Sequence, residues 1–191
     1  MLEGNLITLC KLRSASKMQT STINAEKNTV CVSDNNGRVV DSKFKFDKVF
    51  AQDSSRESIF ESIEHLIQEC SAGKQTMMMS LGTTNAGKSY NMFGDSSSLS
   101  SEGIVQRSIR KLIASGVPFY MSFFEVYNDR IINLLETDEK SNSKATQTVE
   151  QIRGTYLRKG RNVTELLVLD ADYGIDLINH GISRRSTHPT A

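Results

Sequence analysis

The sequence predicts a layered α/β domain, a sheet flanked by helices. Segments of alternating apolar residues interleave along the chain with segments of helical spacing. One short apolar run, TMMMSL, meets a glycine-rich turn and then a helical pattern. The 191 residues suit one domain with a real core, and no linker divides them.

In chain order, NLITLCKL alternates and reads as a strand, and the polar stretch RSASKMQTSTINAEKN reads as a loop. TVCVSD is a short strand stopped by the turn signal NNG. KFKFDKVF alternates through Phe44 and Phe46. SSRESIFESIEHLIQEC is the strongest helix, with Ser54 or Ser55 as cap, apolar Ile59, Ile63, Leu66 or Ile67, and Cys70 at helical spacing, and Gly73 as its stop. TMMMSL reads as a strand buried on both faces, and its methionines as core rather than metal ligands. The serine cluster at 96–101 is a solvated loop, IVQRSIRKLIAS a helix closed by Gly116, and VPFYMSFFEVY a strong strand. NDRIINLLE is a short helical or turn segment, and TDEKSNSKATQTVEQ a charged loop or weak hairpin. TYLRKGRNVTELLVL carries strand pairs, and DADYGIDLINHGISRR is a last helix capped by Asp170.

Composition narrows the class. Hydrophobic content of 38% with 24% charged residues is globular, and a net charge of +1 gives no bulk attraction to nucleic acid or a membrane surface. Cys10, Cys31 and Cys70 are scattered and odd in number, as expected of reduced thiols. No signal-peptide layout opens the chain and no apolar run is long enough to span a bilayer, so a cytoplasmic protein is expected. His65, His180 and His188 have no partner pattern, and Arg161, Arg184 and Arg185 read as solvated charge.

The chemistry lies in Gly82, Thr83, Thr84, Asn85, Ala86, Gly87, Lys88 and Ser89, which fit G-x-x-x-x-G-K-[ST] at every fixed position. Glycines at both ends let successive N–H groups turn inward around an anion. The lysine brings charge to the β- and γ-phosphates, the serine hydroxyl suits Mg²⁺, and the following helix aims its positive end at the site. A glycine-rich turn matching by chance is the bland alternative, and an apolar strand before and a helix after favour the phosphate cradle. The motif alone leaves kinases, GTPases and motor ATPases open.

Further stretches, in order, resemble the kinesin motor domain over nearly all 191 residues. NLITLCKLRS is similar to its first strand with R-x-R-P, and FKFDKVF to F-x-F-D-x-V-F. SLGTTNAGKSYNMFG resembles A-Y-G-Q-T-G-x-G-K-T-x-T-M-x-G, and GIVQR resembles G-I-I-P-R. SFFEVYNDRIINLL resembles S-x-x-E-I-Y-N-E-x-I-x-D-L-L, and LINHGISRRSTHPT resembles the end of a family helix. The resemblance implies a three-layer P-loop NTPase of kinesin type with a central mixed sheet, holding MgATP and coupling its hydrolysis to movement along microtubules. It implies that residues 82–89 bind the phosphates, that Ser89 meets Mg²⁺, and that Lys11, Arg13 and Ser14 flank the adenine. Asn85 and SFFEVYN lean toward the mitotic motors of the central spindle, which would place the protein on the cytoskeleton and at the spindle.

There are departures. Lys11 and Ser14 replace Arg and Pro, which loses a stacking guanidinium and a rigid backbone. Leu81 stands for an aromatic residue, Asn133 for Asp and Arg56 for Gln, and Pro189 is unusual. Thr190 matches the residue before the family's switch I, and no D-x-x-G-x-E of switch II occurs; DADYGID reads as a helix cap. No catalytic residue is identifiable: Glu125, Asp129 and Glu136 are carboxylates by composition only, and the resemblance puts Glu125 on a structural strand. Residues 1–191 are thus expected to be a partial motor domain, with the microtubule-contacting elements downstream. The neighbours of TMMMSL would lie there too, so the piece alone is expected to be poorly stable. A kinesin-like protein that binds nucleotide or a spindle partner without turnover is the alternative.

Overall fold

A computed structural model describes residues 6–13, 22–26, 28–33, 43–94, 101–127, 130–135, 146–148 and 165–185. The chain divides into two compact units that interleave in sequence: Met1–Ser62 with Asn85–Gly87, and Ile63–Thr84 with Lys88–Ala191.

In the first unit, β1 (Leu9–Lys11) pairs in parallel with β5 (Lys48–Phe50). β2 (Thr22–Glu26), β3 (Thr29–Ser33) and β4 (Phe44–Lys45) form an antiparallel ladder in that order. β2 corrects the loop expected over residues 13–28: its ladder with β3 supplies a pairing that a polar composition does not announce. The tight turn between them holds Asn28 at φ 65°, a left-handed conformation that asparagine tolerates. Its side chain donates to the Asp47 carbonyl (2.9 Å) and accepts from Val49 N–H (3.3 Å), tying the hairpin to the approach to β5.

Asp47 in turn accepts from both the Thr8 amide (2.7 Å) and the Thr8 hydroxyl (2.6 Å). Those two bonds hold its carboxyl below the ordinary aspartate range. KFKFDKVF is therefore not one strand but two, serving different ladders. α1 (Arg56–Glu61) opens on Ser55, whose hydroxyl accepts from Ser58 N–H (3.1 Å), as expected of its cap. Val30, Phe50, Ile59 and Phe60 are buried.

The expected single helix over residues 54–70 breaks after α1. Ser62 turns its hydroxyl back to the Ile59 carbonyl (2.7 Å), a local bond that competes with the helix ladder. The second unit then begins with α2 (Glu64–Ser71), which Gly73 closes at φ 89°. α3 (Lys88–Phe93) and α4 (Ile104–Ala114) follow, the latter closed by Gly116 at φ 71°.

The aromatic strand VPFYMSFFEVY is divided. β6 (Phe119–Met121) pairs antiparallel with β10 (Leu166–Val168), whereas β7 (Phe124–Tyr127) pairs with β8 (Arg130–Asn133). β9 (Thr146–Thr148) completes that second ladder. RIIN is thus a strand where a helical or turn segment was expected, because it pairs residue for residue with β7. Asn133 is buried and accepts from Leu135 N–H (3.1 Å) through Oδ1, a local turn bond that closes the end of β8.

α5 (Ala171–Arg184) begins at Asp170, which accepts from Tyr173 N–H (3.0 Å). DADYGID is therefore a helix start. The core of this unit joins Ile109, Met121, Leu135, Val168 and Ile178. α5 reaches it through Gly174: a Cβ there would stand 2.8 Å from Val168 Cγ1 and 3.0 Å from Ile109 Cγ2. Parallel and antiparallel pairings both occur, spread over four small sheets among the described residues.

Candidate functional site

The segment that enters the phosphate motif departs from expectation. Residues 74–81 form no strand, and Met77 (84% exposed), Met79 (69%) and Leu81 (83%) lie on the surface. An apolar run becomes a buried strand only when neighbours complete its ladder and cover its faces. Among the described residues none pairs with it.

The loop itself has the backbone its residue types imply. Gly82 (φ 150°), Asn85 (φ 63°) and Gly87 (φ 92°) all take positive φ. Asn85 matters most, because the motif it resembles has glycine there. Asparagine is among the few residues that reach the left-handed region at modest cost, so the loop keeps its turn without that glycine. Lys88 opens α3, and its ammonium donates to the carbonyls of Gly82 and Thr83, both at 2.7 Å. Two carbonyl oxygens thus gather at a cation that an anionic phosphate oxygen would attract more strongly. Ser89, one residue on, is exposed, as are Thr83 and Thr84, while Ala86 is half-buried.

Of the residues expected near the adenine, Lys11 and Arg13 belong to the first unit. Arg13 donates from Nη1 to the carbonyl of Asn85, which is grouped with the same unit. Lys11 donates to the Ala51 and Gln52 carbonyls, the latter at 2.9 Å. Burial lowers its pKa, and nearby Asp53 partly restores it. Burial likewise raises the Cys10 thiol, which disfavours the reactive thiolate. Ser14 lies outside the described residues, as do Asp129, Glu136 and Thr190. Glu125 sits on β7 opposite Ile132, within a ladder. Among the described residues no cluster of histidine, cysteine and carboxylates is arranged to hold a metal ion. No described helix is long and apolar enough to cross a membrane.

Two groups of side chains on and around α4 escaped notice in the sequence. Arg110 forms a fork with Glu102 (2.9 Å from Nε, 2.8 Å from Nη2) and reaches Asp172 (3.0 Å). Hydrogen bonding to Glu102 is the main reason its pKa is raised. Gln106, 3% exposed, bonds to Gly103 N–H and to the Phe93 carbonyl. The visible signal was faint: a glutamine three residues into a helix can reach back to its cap, but Gly103 offers no side chain to complete the pattern.

Chemically, the loop can bind an anion through backbone amides, an ammonium and a hydroxyl. Residues 9–191 match the kinesin motor domain family. Kinesin-like protein KIN-14G of Oryza sativa is 30% identical over 153 residues, covering 72% of this chain and 20% of that protein. Kinesin-related protein 2 of Dictyostelium discoideum is 27% identical over 218 aligned positions, covering 99% of this chain and 28% of that protein. The chain therefore spans under a third of the length of these relatives. In three dimensions, a solved structure described as that of a fast kinesin superposes with a TM-score of 0.71 at 18% identity, over 93% of this chain and 52% of that one.

Proposed function

Because this chain belongs to the kinesin motor domain family, we propose that it is the ATP-holding part of a microtubule motor. The carrying observation is the 82–89 loop, with positive φ at Gly82, Asn85 and Gly87 and the Lys88 ammonium drawn to its carbonyls. On this reading Gly82, Thr83, Thr84, Asn85, Ala86 and Gly87 wrap the phosphates with backbone N–H groups. Lys88 exchanges its carbonyl partners for the β- and γ-phosphate oxygens. The exposed Ser89 hydroxyl fits a Mg²⁺ ligand set of hard oxygens, the rest coming from phosphate and water. Mg²⁺ would neutralise phosphate charge there. Lys11, Arg13 and Ser14 are assigned to the base. Turnover and travel along microtubules belong to the motor as a whole, which acts in the cytoplasm on the cytoskeleton, with the spindle as its specific site.

The test is equilibrium binding of MgATP and MgGTP to the purified chain and to Lys88→Ala. Loss of a charge-assisted contact of about 2 kcal/mol predicts roughly 30-fold weaker MgATP binding. Guanine preference would move the chain to another class of P-loop protein, and equal affinity of wild type and variant would refute the site. Binding by a longer product that microtubules do not stimulate to turn over would favour the non-catalytic alternative.

A further inference from the structure

We propose that Gln106 is a positioning residue for the phosphate loop: it clamps the far end of the helix that carries Lys88 and Ser89. The inference rests on the nucleotide-binding reading above and adds a residue outside the motif.

α3 is six residues long and none of them is buried. A helix this short does not hold itself together in water, and the residue that packs on the core, Phe93, stands at its last position, tilted against Phe123. Its placement must come from its ends. At the near end stands Lys88, engaged with the loop carbonyls. At the far end, Gln106 Nε2 donates to the carbonyl of Phe93, the last residue of α3. The same side chain accepts from Gly103 N–H through Oε1 at 3.2 Å, so one amide joins the end of α3 to the start of α4. With Gln106 only 3% exposed, water is a poor substitute for either bond.

The backbones around the clamp are in close contact, which leaves little slack. Gly94 and Glu102 form an antiparallel bridge. A Cβ at Gly94 would fall 2.0 Å from the Ser101 carbonyl oxygen, and one at Gly103 would fall 2.4 Å from that of Met92. The platform is itself anchored: Ile104 and Ile109 of α4 are buried, and Arg110 grips Glu102 beside the bridge. α3 rises about 9 Å at 1.5 Å per residue. Loss of its far anchor lets that short rod tilt, and displaces Lys88 and Ser89 at its start.

A plain capping role for Gln106 predicts something different, and two variants separate them. Gln106→Glu keeps an acceptor for Gly103 N–H but sets an oxygen against the Phe93 carbonyl. Gln106→Met removes both bonds at similar length. A positioning role predicts that both variants weaken MgATP binding by about three- to tenfold, the worth of one or two buried hydrogen bonds. It also predicts faster amide exchange over residues 90–94 in the nucleotide-free protein. Ile178→Val, which trims the core of the same unit, serves as the stability control and should alter neither. Wild-type affinity in Gln106→Glu, or an equal loss in Ile178→Val, overturns the proposal while leaving the nucleotide site standing. Absence of MgATP binding by the wild-type chain overturns both together.

Discussion

Gly181→Ala should destabilise the second unit although alanine is the better helix former. Gly181 lies inside α5, and an added Cβ would stand 2.3 Å from Phe123 Cδ1, 2.7 Å from Cε1 and 3.3 Å from Leu134 Cβ. Ordinary contact begins near 3.4 Å, so the ring must retreat by about 1 Å. It has little room, because Phe123 packs on the core and tilts against Phe93 with ring centroids 5.8 Å apart. Leu134, 1% exposed, is equally confined. Overpacking of this kind costs typically 1–3 kcal/mol, against about 1 kcal/mol gained in helix propensity. The clash wins because two confined side chains share it, and a net loss of up to about 2 kcal/mol follows. Urea unfolding followed by circular dichroism would read it as a lower midpoint at unchanged slope. Phe123→Leu in the same chain should recover part of the loss, with a favourable coupling of about 1 kcal/mol. A midpoint equal to or above wild type in Gly181→Ala would refute the packing argument.

Asn85→Ala should cost about 1–2 kcal/mol by forcing a Cβ residue without a local hydrogen-bonding side chain to φ 63°, whereas Asn85→Gly should be tolerated; thermal melts of both variants check this. Arg110 offers an internal comparison, because its Glu102 partner is 12% exposed and its Asp172 partner 78%. Glu102→Gln should cost about 1–2 kcal/mol and Asp172→Asn no more than about 0.5 kcal/mol, read from urea midpoints. The lowered pKa of Asp47 means that its carboxylate form is favoured in the folded chain. Its contribution is present above the ordinary aspartate range and is lost as pH falls through the lowered folded value. The stability gap between wild type and Asp47→Asn should therefore close in acid, and a gap constant from neutral to strongly acidic pH would contradict it.

The candidate loop was legible because its residue types answer local demands. Positive φ at Gly82 and Gly87 and the lysine after them follow from chemistry within eight residues, and so do the caps at Ser55 and Asp170. Strand partnership was less legible. Phe44 and Val49 share one alternating stretch yet fall in different ladders, and VPFYMSFFEVY divides in the same way, because alternation records two faces and not the identity of the neighbour. The TMMMSL segment is the sharpest case: its composition suits burial, and its exposure reflects the lack of a described strand beside it.

What the chain's residues settle alone is thus the local chemistry: an anion-binding loop, its lysine and hydroxyl, the helix caps, and a likeness to kinesin motors that residues 9–191 sustain. What required the tertiary structure is everything that depends on distant partners. Gln106 reads in sequence as one polar helix residue, and only the approach of residues 92–94 to 101–103 makes it a clamp. Arg110 likewise gains its meaning from Asp172, 62 residues away. Backbone conformation and capping are set within a turn or two, whereas burial and pairing are set by whichever segment the fold brings alongside.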